Sequence, residues 1–294
     1  VIPIGLGCIA AATQKAGHEI LFTDLMFEEN PENHVRQVIA EFQPECIGIT
    51  VRNIDNQNIE APKFFLDKVR SIIAACRSGS YAPIVLGGAG YSIFPESALE
   101  YLNADIGIKG EGESIFLELL SQLEKKQSLN DIPGLYIRGY GFKPLKTVSK
   151  NLDDFPLPGP KLLSTSLTKN QDIWIPVQTR RGCPFMCSYC STPSIEGTTL
   201  RKRSTENVTN YLKEWVEAGY TNFYFVDNTF NLPSNYAKDL CNEILKKELD
   251  IKWRSIIYPK FIDTELVQLM AKSGCKQISL GFESGSEQVL KNLN

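Results

Sequence analysis

The sequence predicts an α/β protein in two units, a doubly wound parallel sheet followed by the first part of a β/α barrel. Three observations lead there. From residue 10 to 125, short apolar stretches alternate with amphipathic segments of helical period, and several stretches are apolar without a break, as strands covered on both faces are. A proline-rich segment, Leu152-Asp-Asp-Phe-Pro-Leu-Pro-Gly-Pro160, then excludes helix and makes a semi-rigid extended strap. From Ile173 the strand–helix rhythm resumes and runs to the end of the chain. The predicted boundaries are 1–125, a hairpin and linker at 126–172, and 173–294 with four barrel strands.

In the first unit, Val1-Ile-Pro-Ile-Gly5-Leu6-Gly7 reads as a loop leaving a strand, which predicts that a first strand precedes it and that the chain is an internal fragment. Helices are expected at Ala10 to Ala16, Pro31 to Phe42, Ala61 to Cys76, Pro95 to Leu102 and Glu113 to Leu123. Strands are expected at His18 to Asp24, Cys46 to Val51, Pro83 to Leu86 and Ile106 to Lys109. In such a sheet, ligands bind beyond the carboxyl ends of the strands, where glycine lets the backbone approach closely. Three turns qualify: Pro3-Ile-Gly5-Leu6, Gly87-Gly88-Ala89-Gly90-Tyr91 and Gly110-Glu111-Gly112-Glu113. Taken alone they read equally well as simple tight turns, and no dinucleotide fingerprint of the Gly-x-Gly-x-x-Gly kind follows a strand.

In the connection, Gly139-Tyr-Gly141 between two apolar runs reads as a small hairpin. In the second unit, strands are expected at Ile173 to Thr179, Asn222 to Val226, Lys252 to Tyr258 and Lys276 to Leu280. Ser204 is the expected N-cap of the first intervening helix. A net charge of −3 without a long basic run offers no electrostatic case for nucleic acid. The densest basic cluster, Arg201-Lys-Arg203, is expected to be a solvated loop or a cofactor contact. No apolar run approaches the roughly 20 residues of a membrane span. Eight cysteines without regular pairing indicate a reducing compartment, and hence the cytoplasm.

Chemistry concentrates in Arg181-Gly-Cys183-Pro-Phe-Met-Cys187-Ser-Tyr-Cys190, at the end of the first strand of the second unit. Three thiolates cannot close a four-ligand zinc site, and the only histidines, His18 and His34, lie far upstream. An iron–sulfur cluster with one iron left open fits the spacing better, the bland alternative being three buried thiols.

Cys-x3-Cys-x-aromatic-Cys preceded by Arg-Gly resembles the radical S-adenosylmethionine (SAM) superfamily. That resemblance implies a 4Fe-4S cluster on Cys183, Cys187 and Cys190, its open iron chelated by the methionyl end of SAM. One-electron reduction would then give a 5′-deoxyadenosyl radical, with flavodoxin or ferredoxin as electron donor. It further implies that Tyr189 lies against the adenine and that Asp227-Asn228, standing where the superfamily often has Gly-Gly-Glu, holds the methionyl amino group. Asp227 reads alternatively as a cap for the loop after it. Glu283 with Ser284 resembles the acidic strand end that binds SAM, and Arg254 is a candidate for its carboxylate.

The Gly-rich loops resemble the Rossmann-like cobalamin-binding domain that precedes many such barrels. The implied cobalamin contacts are Gly5, Leu6, Thr50, Arg52, Gly87, Gly88, Ala89, Glu111 and Gly112. Asp-x-His-x-x-Gly is absent, so no histidine is expected below the cobalt. The resemblance implies methyl transfer to an unactivated carbon of a small-molecule or natural-product substrate. Its rivals are a transfer-RNA methylthiotransferase, suggested by Cys190-Ser-Thr-Pro193 and Arg201-Lys-Arg203-Ser204, and a non-catalytic cobalamin or iron–sulfur sensor. The methylthiotransferase needs three further cysteines, for which Cys8, Cys46 and Cys76 are available; packing is the better account of Cys46 and Cys76.

Overall fold

A computed structural model describes residues 2–144, 149–163 and 173–293. It divides into two compact units, Cys8–Val148 and Val1–Gly7 with Ser149–Asn294.

Along the chain, α1 (Ile4–Lys15) is followed by α2 (Pro31–Phe42), β1 (Ile47–Thr50), α3 (Leu66–Gly79), β2 (Ile84–Gly87), α4 (Ala89–Ile93) and α5 (Pro95–Leu102). Then come β3 (Ile106–Ile108), α6 (Glu113–Glu124), β4 (Leu135–Ile137) and β5 (Gly141–Phe142). Caps set several ends: Pro31 opens α2 behind Asn30, whose side chain accepts from Asn33 N at 3.2 Å. The strands form one sheet in the order β1-β2-β3-β4-β5, the first three parallel and the last two an antiparallel hairpin. Side-chain alternation along β2 separates two cores. Ile84 and Leu86 pack with α2, α3 and α5, while Val85 packs on the other face with Ile106, Ile115 and Leu119.

Five expectations change. The turn expected at Gly87 to Tyr91 ends at Gly88, since Ala89 opens the short helix α4. Gly5 and Leu6 lie in the first turns of α1, which begins directly after Pro3, so they form no strand-end loop. Residues 18–24 make no ladder; Asp24 instead caps a short 3-10 turn by accepting from Met26 N. β1 is an edge strand and only half-buried, where a doubly covered strand was expected. The hairpin expected within the connection joins the first sheet, with Tyr136 stacked on Phe142 at 4.1 Å. The parts of the connection at 145–148 and 164–172 lie outside the described residues.

The second unit continues with β6 (Ile175–Val177), β7 (Arg180–Arg181), α7 (Thr192–Glu196), β8 (Arg201–Lys202), α8 (Thr205–Glu217), β9 (Asn222–Phe225) and α9 (Ser234–Lys246). It ends with β10 (Lys252–Ile257), α10 (Thr264–Lys272), β11 (Cys275–Leu280) and α11 (Glu287–Asn292). Its main sheet is wholly parallel, in the order β11-β10-β9-β6. One face presents Ile175, Val177, Phe223, Phe225, Trp253 and Ile257, all buried. Edge-on packing of Phe225 on Trp253 at 5.1 Å belongs to this core, in which each fully buried large side chain contributes about 1.5–3 kcal/mol.

The basic cluster is neither a solvated loop nor an open cofactor contact. Arg203 is fully buried and donates to the carbonyls of Leu152 and Phe155 at 2.7 and 2.6 Å, while Asp153 accepts from Ser204 N at 3.1 Å. Arg201 donates to Ser149 O at 3.0 Å. These side chains fasten residues 149–155 to the second unit through charge-assisted hydrogen bonds of about 1.5–3 kcal/mol each.

Candidate functional site

The cysteine loop leaves β6 at the carboxyl edge of the barrel sheet, and its base is held by one buried ion pair. Asp227, just past the end of β9, accepts from Thr179 N at 2.8 Å, Thr179 Oγ1 at 2.6 Å and Arg180 N at 3.2 Å. Its carboxylate also lies 3.4 Å from Arg180 Nε. The Arg180 guanidinium in turn sits over Tyr236 at 4.8 Å and Phe230 at 5.4 Å and donates to the carbonyl of Leu232. Burial is the larger influence on both partners, pushing the Asp227 carboxyl up and the Arg180 guanidinium down, while their opposite charges act against both shifts.

Past this anchor, Gly182 takes φ +84°, and a Cβ there would run into the carbonyl of Thr199, so the turn into the loop requires glycine. Gly182 N donates to Glu196 Oε2 at 3.0 Å and Cys183 N to Gly197 O at 3.1 Å. Glu196 Oε2 also accepts from Asn228 Nδ2 at 2.9 Å. Cys183 is buried, Cys187 half-buried and Cys190 exposed. Burial first, and then the neighbouring Cys190 and Cys187, push the Cys183 thiol up. The thiols are therefore near one another. Yet no three His, Cys, Asp or Glu side chains among the described residues converge on a single ion. Three thiolates at this spacing fit a 4Fe-4S group with one iron open, whereas a closed zinc site takes four ligands.

Beside Cys187 a cavity of about 250 Å³ opens at the ends of β10 and β11, lined by Tyr189, Tyr258, Lys260, Glu283 and Ser284. Glu283 adopts φ +62°, a left-handed conformation uncommon for a non-glycine residue. Its carboxylate lies near the Tyr189 hydroxyl, which is pushed up by desolvation and then by that neighbouring carboxylate. The expected SAM set thus divides. Tyr189, Glu283 and Ser284 gather at the cavity with the thiol of Cys187. Asp227 and Asn228 are engaged by Thr179, Arg180 and Glu196, so Asp227 is the loop anchor rather than an open ligand. Arg254 lies elsewhere, over the rings of Trp174 and Tyr224. Tyr258 and Lys260 were missed, although the carboxyl-end rule would have found both just beyond β10.

In the first unit, Thr50 to Arg52, Gly87 to Ala89 and Gly110 to Gly112 follow three neighbouring parallel strands, so they share one edge. Gly88 takes φ +100°, and a Cβ there would come within 2.6 Å of Thr50 Oγ1 and 2.7 Å of Val51 O. Gly90 N and Tyr91 N donate to Val51 O at 2.9 and 3.2 Å, and Gly110 N to Ser92 Oγ at 2.9 Å. Gly87 is open, its nearest neighbour 3.9 Å from an added Cβ. The Tyr91 hydroxyl is fully buried in the core against Gly107 of β3, without a hydrogen-bond partner among the described residues. The open approach at Gly87, at the carboxyl end of the middle strand, fits a large bound cofactor.

Residues 177–294 match the Radical SAM superfamily model, and residues 1–120 match that of the B12 binding domain. The chain belongs to the radical SAM family with a B12-binding domain. An uncharacterized methyltransferase of Pyrococcus horikoshii is 28% identical over 98% of this chain and 62% of its own length. The tryptophan 2-C-methyltransferase of Streptomyces laurentii is 23% identical over 99% of this chain and 58% of its own. The fold is that of the radical SAM methyltransferase TsrM from Kitasatospora setae, solved with tryptophan and a SAM analogue. The two superpose with a TM-score of 0.89 at 24% identity, over 99% of this chain and 58% of that one. The radical SAM chain described here thus spans about three-fifths of the length of these relatives.

Proposed function

We propose that this chain is the cofactor-bearing part of a cobalamin-dependent radical SAM enzyme that methylates an unactivated carbon of a small molecule. The observation that carries the reading is the cavity at the strand ends, where Tyr189 and Glu283 converge beside the thiol of Cys187. Cys183, Cys187 and Cys190 would hold the cluster, and Tyr189, Glu283 and Ser284 the SAM. Thr50, Arg52, Gly87, Gly88, Ala89, Glu111 and Gly112 would hold the cobalamin. Bound together, these groups supply a carbon radical and a transferable methyl group; the chain positions them and excludes water. Named acceptors of two relatives, tryptophan and cytidylyl-2-hydroxyethylphosphonate, support a small-molecule substrate. An electron donor such as flavodoxin or ferredoxin completes the reading.

Among the described residues, Cys46 and Cys76 offer the methylthiotransferase alternative no second cluster site. Cys76 packs in the core on one face of the first sheet and Cys46 against the core on the other, so the two do not converge. Burial pushes their thiols up to about 11 and about 12. The deciding experiment is anaerobic reconstitution of the full-length protein with iron, sulfide, cobalamin and SAM carrying a deuterated methyl group, followed by reduction. Formation of 5′-deoxyadenosine and of labelled methylcobalamin is expected. A protein that binds both cofactors but forms neither 5′-deoxyadenosine nor labelled methylcobalamin is a sensor, and the enzymatic reading fails.

A further inference from the structure

Arg254 projects from the face of the barrel sheet opposite the helices, level with Tyr224 on β9. Its guanidinium carbon lies 4.6 Å from the ring centre of Trp174 and 4.7 Å from that of Tyr224. Its Nε is shielded from solvent and, among the described residues, has no hydrogen-bond partner. Other arginines of limited exposure are engaged: Arg77 by Asp105, Arg180 by Asp227, and Arg203 by the carbonyls of residues 152 and 155. Aromatic faces hold a guanidinium by cation–π attraction and leave its in-plane donors to an external group. The group that matches those donors is a carboxylate, taken in two parallel N–H···O bonds.

That carboxylate is not the methionyl end of SAM. Arg254 stands three residues before the end of β10, about 10 Å below the edge where the cavity lies. Trp174 precedes β6, whose Ile175 is level with Phe223 and Trp253, so this contact holds the guanidinium toward the strand starts, away from Cys187.

We propose that Arg254, with Trp174 and Tyr224, binds a carboxylate of the methyl acceptor, making the substrate an anionic small molecule. The word acceptor rests on the methyl-transfer reading; the anion site does not. The test uses the full-length, SAM-loaded protein and two isosteric probes, benzoate and benzamide, followed by saturation-transfer NMR. Benzoate should bind about tenfold or more tightly than benzamide. Arg254→Gln should erase that preference with iron content and SAM affinity unchanged. Equal binding of the probes, or a preference that survives Arg254→Gln, overturns the proposal, as does a matching loss of SAM affinity. A measurement without a variant guards against misfolding. Phenylglyoxal should modify Arg254 in the ligand-free wild type, with protection by benzoate and not by benzamide. An unreactive Arg254 means that a protein carboxylate already holds it, and the proposal falls. Benzoate discrimination in a protein that forms neither 5′-deoxyadenosine nor labelled methylcobalamin would sink the methyl-transfer reading while upholding the anion site.

Discussion

Replacing Asp227 by Ala should unfold the barrel unit before it affects any ligand. The substitution removes the carboxylate that accepts from Thr179 N, Thr179 Oγ1 and Arg180 N and faces Arg180 Nε at 3.4 Å, and leaves a guanidinium that is itself buried. Breaking a buried pair by deleting one partner costs about 3–5 kcal/mol, because the remaining charge stays desolvated. With a urea dependence of about 2 kcal/mol per molar, the midpoint should fall by roughly 1.5–2.5 M. Trp174, Trp215 and Trp253 are the only tryptophans of the chain and all lie in this unit, so their fluorescence reports its unfolding and not that of the first. Asp227→Asn keeps an acceptor for the Thr179 donors and should fall about halfway. An Ala variant that melts with the wild type but binds SAM much more weakly would refute the anchor and restore Asp227 as a ligand.

Replacing any of Cys183, Cys187 or Cys190 by Ala should abolish the uptake of about four irons on anaerobic reconstitution; a cluster retained in the triple variant would remove the assignment. Glu283→Ala should lower SAM affinity about tenfold in equilibrium dialysis with iron unchanged, and Tyr189→Phe should lower it less, since the ring stays in the cavity and only a hydroxyl is lost. Gly88→Val should destabilise the first unit itself, because its Cβ meets Thr50 and Val51 and its φ of +100° is strained for a side chain. Gly87→Val, where the space for a Cβ is open, is the better probe of cobalamin and should reduce its uptake with an unchanged thermal melt.

Most helices and every barrel strand were legible because period and cap agree there. Ser204 does accept from Asn207 N at 3.1 Å, and the pattern of β10 alternates as a half-buried strand should. The misreadings arose where a local pattern had two tertiary outcomes. An apolar stretch such as Ile47-Gly-Ile-Thr50 signals a strand but not whether a neighbour covers its outer edge. Gly5 and Leu6 looked like a loop because glycine disfavours helix by only about 1 kcal/mol, a preference that packing overrides: Gly7 lies against Pro158, where a Cβ would approach to 2.8 Å.

At the site, spacing singled out the cysteines and strand-end position singled out Glu283, both properties of the chain itself, and the structure brings Cys187 and Glu283 to one cavity. Position failed for Asp227 for a physical reason. A carboxylate at a strand end serves an incoming ligand only if no donor of the protein reaches it first. Here Thr179 and Arg180, 48 and 47 residues earlier, do so. Arg254 shows the converse. Its inward orientation was readable from the alternation of β10, but its partners are Trp174 and Tyr224 on other segments, and only their placement moves it from the SAM carboxylate to an open anion site. Charged residues in this barrel therefore divide by whether the fold itself neutralises them. Asp227 and Arg180 face each other and hold the loop, whereas Arg254 Nε meets no partner among the described residues and is left to a ligand.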